Sequence, residues 1–185
     1  MVLCQVGTGI EYDRHLDMEV RKLAPGSAAL AAAATAEVLV NEKRRGTAVL
    51  VSQSYCLTAS HVVKGQDYPD KSIRLRFPAD GTEVEAMIAL RHDHIDLLVL
   101  RLLTPTPHIL PEPVQIWQDE RLPENVQVYG YPLAERQSQG VWRTFTIAGP
   151  TADGLQQLSW SEGVGTFVGH SGGPVLDAES HRLVG

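Results

Sequence analysis

Three short segments carry side chains whose types and spacing could do chemistry together. The first is L-T-A-S-H-V-V at positions 57–63, which contains His61. The second is H-I-D-L-L-V-L-R-L at 94–102, where Asp96 heads an apolar run. The third is V-G-H-S-G-G-P-V at 168–175, where Ser171 precedes two glycines that let the backbone approach a ligand closely. Taken singly, each has a plain structural reading: a satisfied histidine, an acid capping a strand, a loop between strands. Taken together, they supply the parts of acyl transfer. A serine hydroxyl needs a base to take its proton. The base needs an acid to hold its tautomer, and the developing oxyanion needs N–H donors.

Such groups must be positioned by rigid elements. From residue 37 onward the sequence consists of short β-rich runs broken by turn residues. Expected strands are 37–41, 47–52, 55–58, 72–77, 83–91 and 97–102. A second series follows at 126–131, 141–148, 155–160, 174–176 and 182–184. Short strands at intervals of roughly 8–12 residues predict an all-β barrel or sandwich. Between the two series, T-P-T-P-H-I-L-P-E-P at 104–113 holds four of the eleven prolines. Proline fixes φ and lacks an N–H, so this stretch reads as a stiff linker. Two β units joined by such a linker predict two small barrels with a cleft between them.

The first 36 residues differ in texture. Tyr12, Leu16, Val20 and Leu23 fall on one helical face. Pro25-Gly26 ends that helix, and Ser27 is a candidate N-cap for a second, alanine-rich one. The expected organisation is therefore a helical N-terminal extension (1–36), a first β unit (37–103), the linker (104–113) and a second β unit (114–185).

Composition narrows the function classes. The chain has 185 residues, 43 % of them hydrophobic, and a net charge of −6. A negative balance argues against a nucleic-acid binder, whose affinity comes mainly from basic residues on phosphate. It also gives no attraction to an anionic membrane surface, and no run reaches the length of a membrane span. The N-terminus lacks the pattern of a signal peptide. Two cysteines, Cys4 and Cys56, are too few for a disulfide scaffold, so a reducing, cytoplasmic setting is expected. His92, His94 and Asp96 share a strand region, but two histidines rarely complete a metal site, and no metal or other cofactor is expected. The G-x-G matches at 7–9 and 163–165 lack the context of a nucleotide site. Trp117, Trp142 and Trp160 are expected in the core.

The motifs T-A-S-H-V-V, D-L-L-V-L-R-L and G-H-S-G-G-P-V, in the order His, Asp, Ser, resemble those of the chymotrypsin-like serine peptidases. The separations of 35 and 75 residues suit that family. G-T-A-V-L-V at 46–51 and V-Y-G-Y-P at 128–132 are similar to its disulfide-free bacterial HtrA/Deg-like branch. The resemblance covers residues 37–185. It implies a chymotrypsin-like double β-barrel and a serine endopeptidase acting on a peptide or protein substrate through an acyl-enzyme. Carried onto this chain, Ser171 is the nucleophile, His61 the base and Asp96 its orienting acid. The N–H groups of Gly169 and Ser171 form the oxyanion hole. Gly165 and Thr166 lie near the base of the specificity pocket, which therefore carries no acid.

The sequence also departs from the family pattern. Val62 follows His61 where many secreted members have a disulfide cysteine, so Cys56 reads as a buried strand thiol. His170 stands where activation by a new N-terminus would need an acid; it is read either as a pH-sensitive group or as a neutral, solvent-facing one. The sequence given ends at L-V-G, 183–185, which predicts a second barrel cut short. A fused effector or signalling domain beyond Gly185 is compatible with this. The second option is that residues 2–10 fill the gap as a strand. A second function, from another class, is a peptidase-like module that binds extended peptides or regulates a larger protein without cleaving.

Overall fold

The computed structural model describes residues 2–4, 27–63, 73–103, 110–118, 121–133, 140–152, 154–160 and 168–185. Six strands form a closed antiparallel barrel: β2 (Thr35–Val40), β3 (Lys43–Ser52), β4 (Tyr55–Ala59), β5 (Ile73–Phe77), β6 (Thr82–His92) and β7 (Leu97–Leu102). Their order around the barrel is β2-β3-β4-β7-β6-β5. Alternation explains the inward faces. In β5 the sequence I-R-L-R-F buries Ile73, Leu75 and Phe77 and turns Arg74 and Arg76 outward. Closure removes the free edges that a sheet of this length would otherwise present. β2 and β3 are joined through Asn41 and Glu42, both at positive φ (49° and 64°). That is the mirror-image turn whose twist matches a two-residue hairpin.

Ahead of the barrel, α1 (Ala28–Ala33) begins at Ser27, whose hydroxyl accepts from the Leu30 N–H at 3.2 Å. The N-cap expected from sequence is thus present. The amphipathic helix expected at 11–23 lies outside the described residues. So do the first six residues of the proline-rich linker. Its last residues lead to Val114, which is buried and donates to the Leu50 carbonyl at 3.0 Å.

The second unit is a five-stranded sheet in the order β1-β10-β9-β8-β11, built from β8 (Asn125–Gly130), β9 (Val141–Pro150), β10 (Gln156–Ser159) and β11 (Val175–Asp177). Its first strand is the N-terminal β1 (Val2–Cys4), which pairs antiparallel with β10, Val2 opposite Leu158. The less favoured sequence option therefore holds for these three residues. A segment from the far end of the chain covers the β10 edge. The expected strand at 182–184 is reduced to isolated bridges from Leu183 to Ile116 and Leu176.

Two cores lie on either side of β11. Val175 packs with Val126, Val128, Phe145 and Leu158, whereas Leu176 packs with the first-barrel core. Successive strand residues face opposite ways, so the strand that leaves the Ser171 turn is wedged between the two units. The three tryptophans correct the sequence expectation. They are only partly buried, Trp142 packed against the first core and Trp160 against the second.

Polar contacts fasten the seam. Glu37, 1 % exposed, is ion-paired to both Arg44 and Arg76. Arg44 also donates to the Pro132 carbonyl at 2.7 Å. The Tyr131 hydroxyl donates to the Thr35 carbonyl at 2.9 Å. Burial, then the neighbouring Tyr129, pushes the Tyr131 phenol well above its ordinary range.

Candidate active site

His61 and Asp96 meet because β4 and β7 are paired antiparallel, with Ala59 opposite Leu97. The residues just beyond that pair leave both strands at the same end. Ser60–Val62 and Asp93–Ile95 each form one 3₁₀ turn there. Asp96 closes its turn in the left-handed region (φ 53°, ψ 34°). Aspartate enters that region more readily than most residues because its short carboxylate can bond locally. Here both carboxylate oxygens are used. Oδ1 accepts from the His61 backbone N–H at 2.8 Å, and Oδ2 lies 2.5 Å from His61 Nδ1. The Asp96 carbonyl accepts from the Ser60 N–H at 2.8 Å, and the Ser60 hydroxyl donates to Asp93. The two turns are thus tied at several points. With Nδ1–H donated to the carboxylate, Nε2 is the basic nitrogen. The side chains of His61 and Asp96 are 51 % and 50 % exposed.

Ser171 reaches the same seam from the second unit. Its carbonyl accepts from the Thr47 N–H at 2.9 Å. Gly46 is squeezed between Ser171 and the residue after His61. A Cβ on it would come within 2.7 Å of Val62 Cγ2 and 2.8 Å of the Ser171 carbonyl oxygen. Gly172, at φ +79°, lies so close to Thr47, Thr58 and Ala59 that no side chain fits. The Ser171 turn therefore sits directly on the strands that deliver His61.

The backbone of this turn is held plane by plane. Leu133 N–H donates to the Val168 carbonyl at 2.8 Å, and Gly173 N–H to the His170 carbonyl at 2.7 Å. The Thr47 hydroxyl donates to the Gly169 carbonyl at 2.7 Å. In a trans peptide the N–H points opposite to the carbonyl of the same plane, and no described peptide is cis. Holding the Val168 and His170 carbonyls therefore aims the N–H groups of Gly169 and Ser171 away from those partners. Gly169 takes φ +104°, and a Cβ there would strike the Tyr131 carbonyl oxygen and the Leu133 nitrogen, so only glycine fits.

His170 departs from one of its two sequence readings. It is 6 % exposed rather than solvent-facing. Its ring lies against Gly130, where an added Cβ would come within 2.9 Å of Cδ2. Cys56 is a free, buried thiol, and burial pushes its pKa far up, so it is not a competing nucleophile. His92 and His94 face each other edge-on at 6.2 Å, but among the described residues no cluster of three or more potential ligands forms. Gly165 and Thr166 lie outside the described residues. Sequence reasoning left Thr47 without a role. A threonine in a β run reads as a strand former, and nothing local marks its hydroxyl as directed to residue 169.

A closed antiparallel barrel, a second sheet, a His–Asp pair and a serine turn seated on the seam make up a chymotrypsin-like fold. The family model described as "Trypsin-like peptidase domain" matches residues 46–185, and the chain belongs to that family. Among solved structures, the chain is similar to the serine endoprotease from Yersinia pestis. That match has 24 % identity and a TM-score of 0.65, and covers 88 % of this chain and 57 % of the other. It is also similar to the HtrA-type protease AlgW with decapeptide, at 21 % identity and a TM-score of 0.64, covering 85 % and 56 %. At these identities the likeness is one of fold. The chain spans less than two thirds of either structure. No curated protein matches it. No helix among the described residues is long and apolar enough to cross a membrane.

Proposed function

We propose that this chain is a serine endopeptidase in which Ser171 is the nucleophile, His61 the base and Asp96 its orienting acid. One observation carries the reading. The strand and turn that deliver His61 and the turn that carries Ser171 come from different units yet meet directly, Gly46 lying between Val62 and Ser171, and Gly172 against Thr47, Thr58 and Ala59.

Asp96 fixes the tautomer and stabilises the imidazolium. His61 Nε2 takes the Ser171 hydroxyl proton as Oγ adds to the scissile carbonyl. The N–H groups of Gly169 and Ser171 receive the oxyanion. Collapse of the tetrahedral intermediate breaks the C–N bond, and His61 returns the proton to the departing amine. Water then adds to the acyl-enzyme, giving a proton to His61, and as the acyl C–O bond breaks His61 returns that proton to Ser171 Oγ, releasing the carboxylic acid and free Ser171. The substrate is a peptide or protein segment. A cytoplasmic setting belongs to the same proposal.

A fluorophosphonate probe tests it. The expected result is one adduct, at Ser171, that is lost in Ser171→Ala with unchanged circular dichroism. Absence of an adduct on the folded wild-type protein overturns it. The half-exposed dyad favours a second reading. Water screens an exposed pair and lowers its catalytic value, as expected of a module that holds an extended peptide without cutting it. Peptide binding without turnover, unchanged in Ser171→Ala, is its signature.

A further inference from the structure

We infer that Thr47 is a positioning residue for the turn that carries Ser171, acting through its side-chain hydroxyl. This rests on the peptidase reading and deepens it. Thr47 lies in β3 with no exposed surface, 122 residues from the glycine it contacts. Its N–H donates to the Ser171 carbonyl at 2.9 Å. Its hydroxyl donates to the Gly169 carbonyl at 2.7 Å and accepts from the Tyr131 N–H at 3.2 Å. Its own carbonyl accepts from the Thr58 hydroxyl at 2.7 Å. A hydroxyl has one proton, and here it goes to Gly169.

That proton matters because of what Gly169 is. A glycine at φ +104° has little intrinsic preference to keep the following peptide plane in one orientation. Two planes of the turn present the N–H groups of Gly169 and Ser171, and partners within the second unit hold both. The plane between them, Gly169–His170, is gripped from the first barrel by the Thr47 hydroxyl. If that middle plane turns, the two flanking N–H groups no longer face one point, although the Val168 and His170 carbonyls of their planes keep their partners. The plane after Ser171 is held by the Thr47 N–H. Thr47 thus fixes the turn on both sides of the nucleophile and ties it to the barrel that carries His61. Any residue but proline at position 47 would supply the N–H. Only a short hydroxyl at this position supplies the second bond.

The experiment compares Thr47→Ser with Thr47→Ala in the full chain. Both lose the methyl group, and only one keeps the hydroxyl. Reaction of Ser171 with a fluorophosphonate is resolved into its saturation constant and maximal rate across pH. Thr47→Ala should lose about 10²-fold in maximal rate, in line with loss of one oxyanion donor. Its saturation constant and the midpoint of its pH profile should hold, because His61 is untouched. Thr47→Ser should keep wild-type rates within about threefold. Thr47→Val, which keeps the shape of threonine, serves as a second hydroxyl-free variant should the alanine protein not fold. Equal rates in folded serine and hydroxyl-free variants overturn the inference and leave the peptidase reading intact. A wild type that does not react at all overturns the peptidase reading itself.

Discussion

The carboxylate of Asp96 holds His61 twice, at the backbone N–H (2.8 Å) and at ring Nδ1 (2.5 Å). One bond places the residue and the other sets its tautomer. The two functions can be separated by substitution. In Asp96→Asn the side-chain oxygen can still accept from the His61 N–H and the left-handed turn is still tolerated. The amide cannot act as an anion toward the ring. Stability should change by less than about 1 kcal/mol, since the site is half exposed. Reaction with a fluorophosphonate or an activated ester at neutral pH should fall by roughly 10⁴-fold. Stopped-flow or burst kinetics beside a denaturant titration checks both numbers.

Glu37 in β2 is a buried anion shared by Arg44 of β3 and Arg76 of β5 within the first barrel. Removing its charge strands both partners. Glu37→Gln should cost about 3 kcal/mol, the low end for a broken buried pair, because Arg44 and Arg76 can each turn toward water. A urea titration measures it. An unchanged midpoint with an unchanged slope would show that the network contributes nothing net.

Two glycine substitutions should fail for different reasons. Gly46→Ala drives a methyl into Val62 and the Ser171 carbonyl. It should cost about 1–3 kcal/mol by overpacking and should also lower reactivity at Ser171, since the turn must shift. At Gly81, φ is +77° but the space is open. Gly81→Ala should cost about 1–2 kcal/mol from backbone strain with reactivity unchanged. Thermal unfolding together with probe labelling separates the two.

Alkaline pH should destabilise the fold. Burial raises the Cys56 thiol from its ordinary 9.0 and raises the Tyr129 and Tyr131 phenols from 10.0. The native state therefore keeps protons that the unfolded chain has already released. Stability is full below these ordinary values and falls as pH rises past them. Decline should begin near pH 9 with the thiol and steepen past pH 10 with the phenols. Cys56→Ala should remove one proton's share of the slope, about 1.4 kcal/mol per pH unit. Urea titrations between pH 7 and 11 provide the measurement; parallel curves for wild type and variant would contradict the assignment.

Much of the barrel was legible in the sequence because its information is local. I-R-L-R-F at 73–77 alternates as a half-buried strand must, and Ser27 announces a helix start. The types and order of His61, Asp96 and Ser171 were equally plain. Other outcomes were not legible, for physical reasons. Val2–Cys4 covers the β10 edge through backbone hydrogen bonds, which every non-proline residue can make, so no side chain announces the partner. Burial of His170 follows from the absence of a side chain on Gly130, forty residues away at the end of β8. Trp142 and Trp160 stop at the margin of the cores because the two sheets, not their hydrophobicity, decide where the interior ends.

Residue identity by itself determined which groups can carry protons, accept an oxyanion or turn the chain. Those are properties of single side chains and of short runs. The tertiary structure decided which peptide planes are held, and by whom. The hydroxyl of Thr47 reaches the carbonyl of Gly169 only because a closed barrel brings β3 under the turn before β11. A hydrogen bond depends on distances of tenths of an ångström, and chain order does not encode distances between residues so far apart.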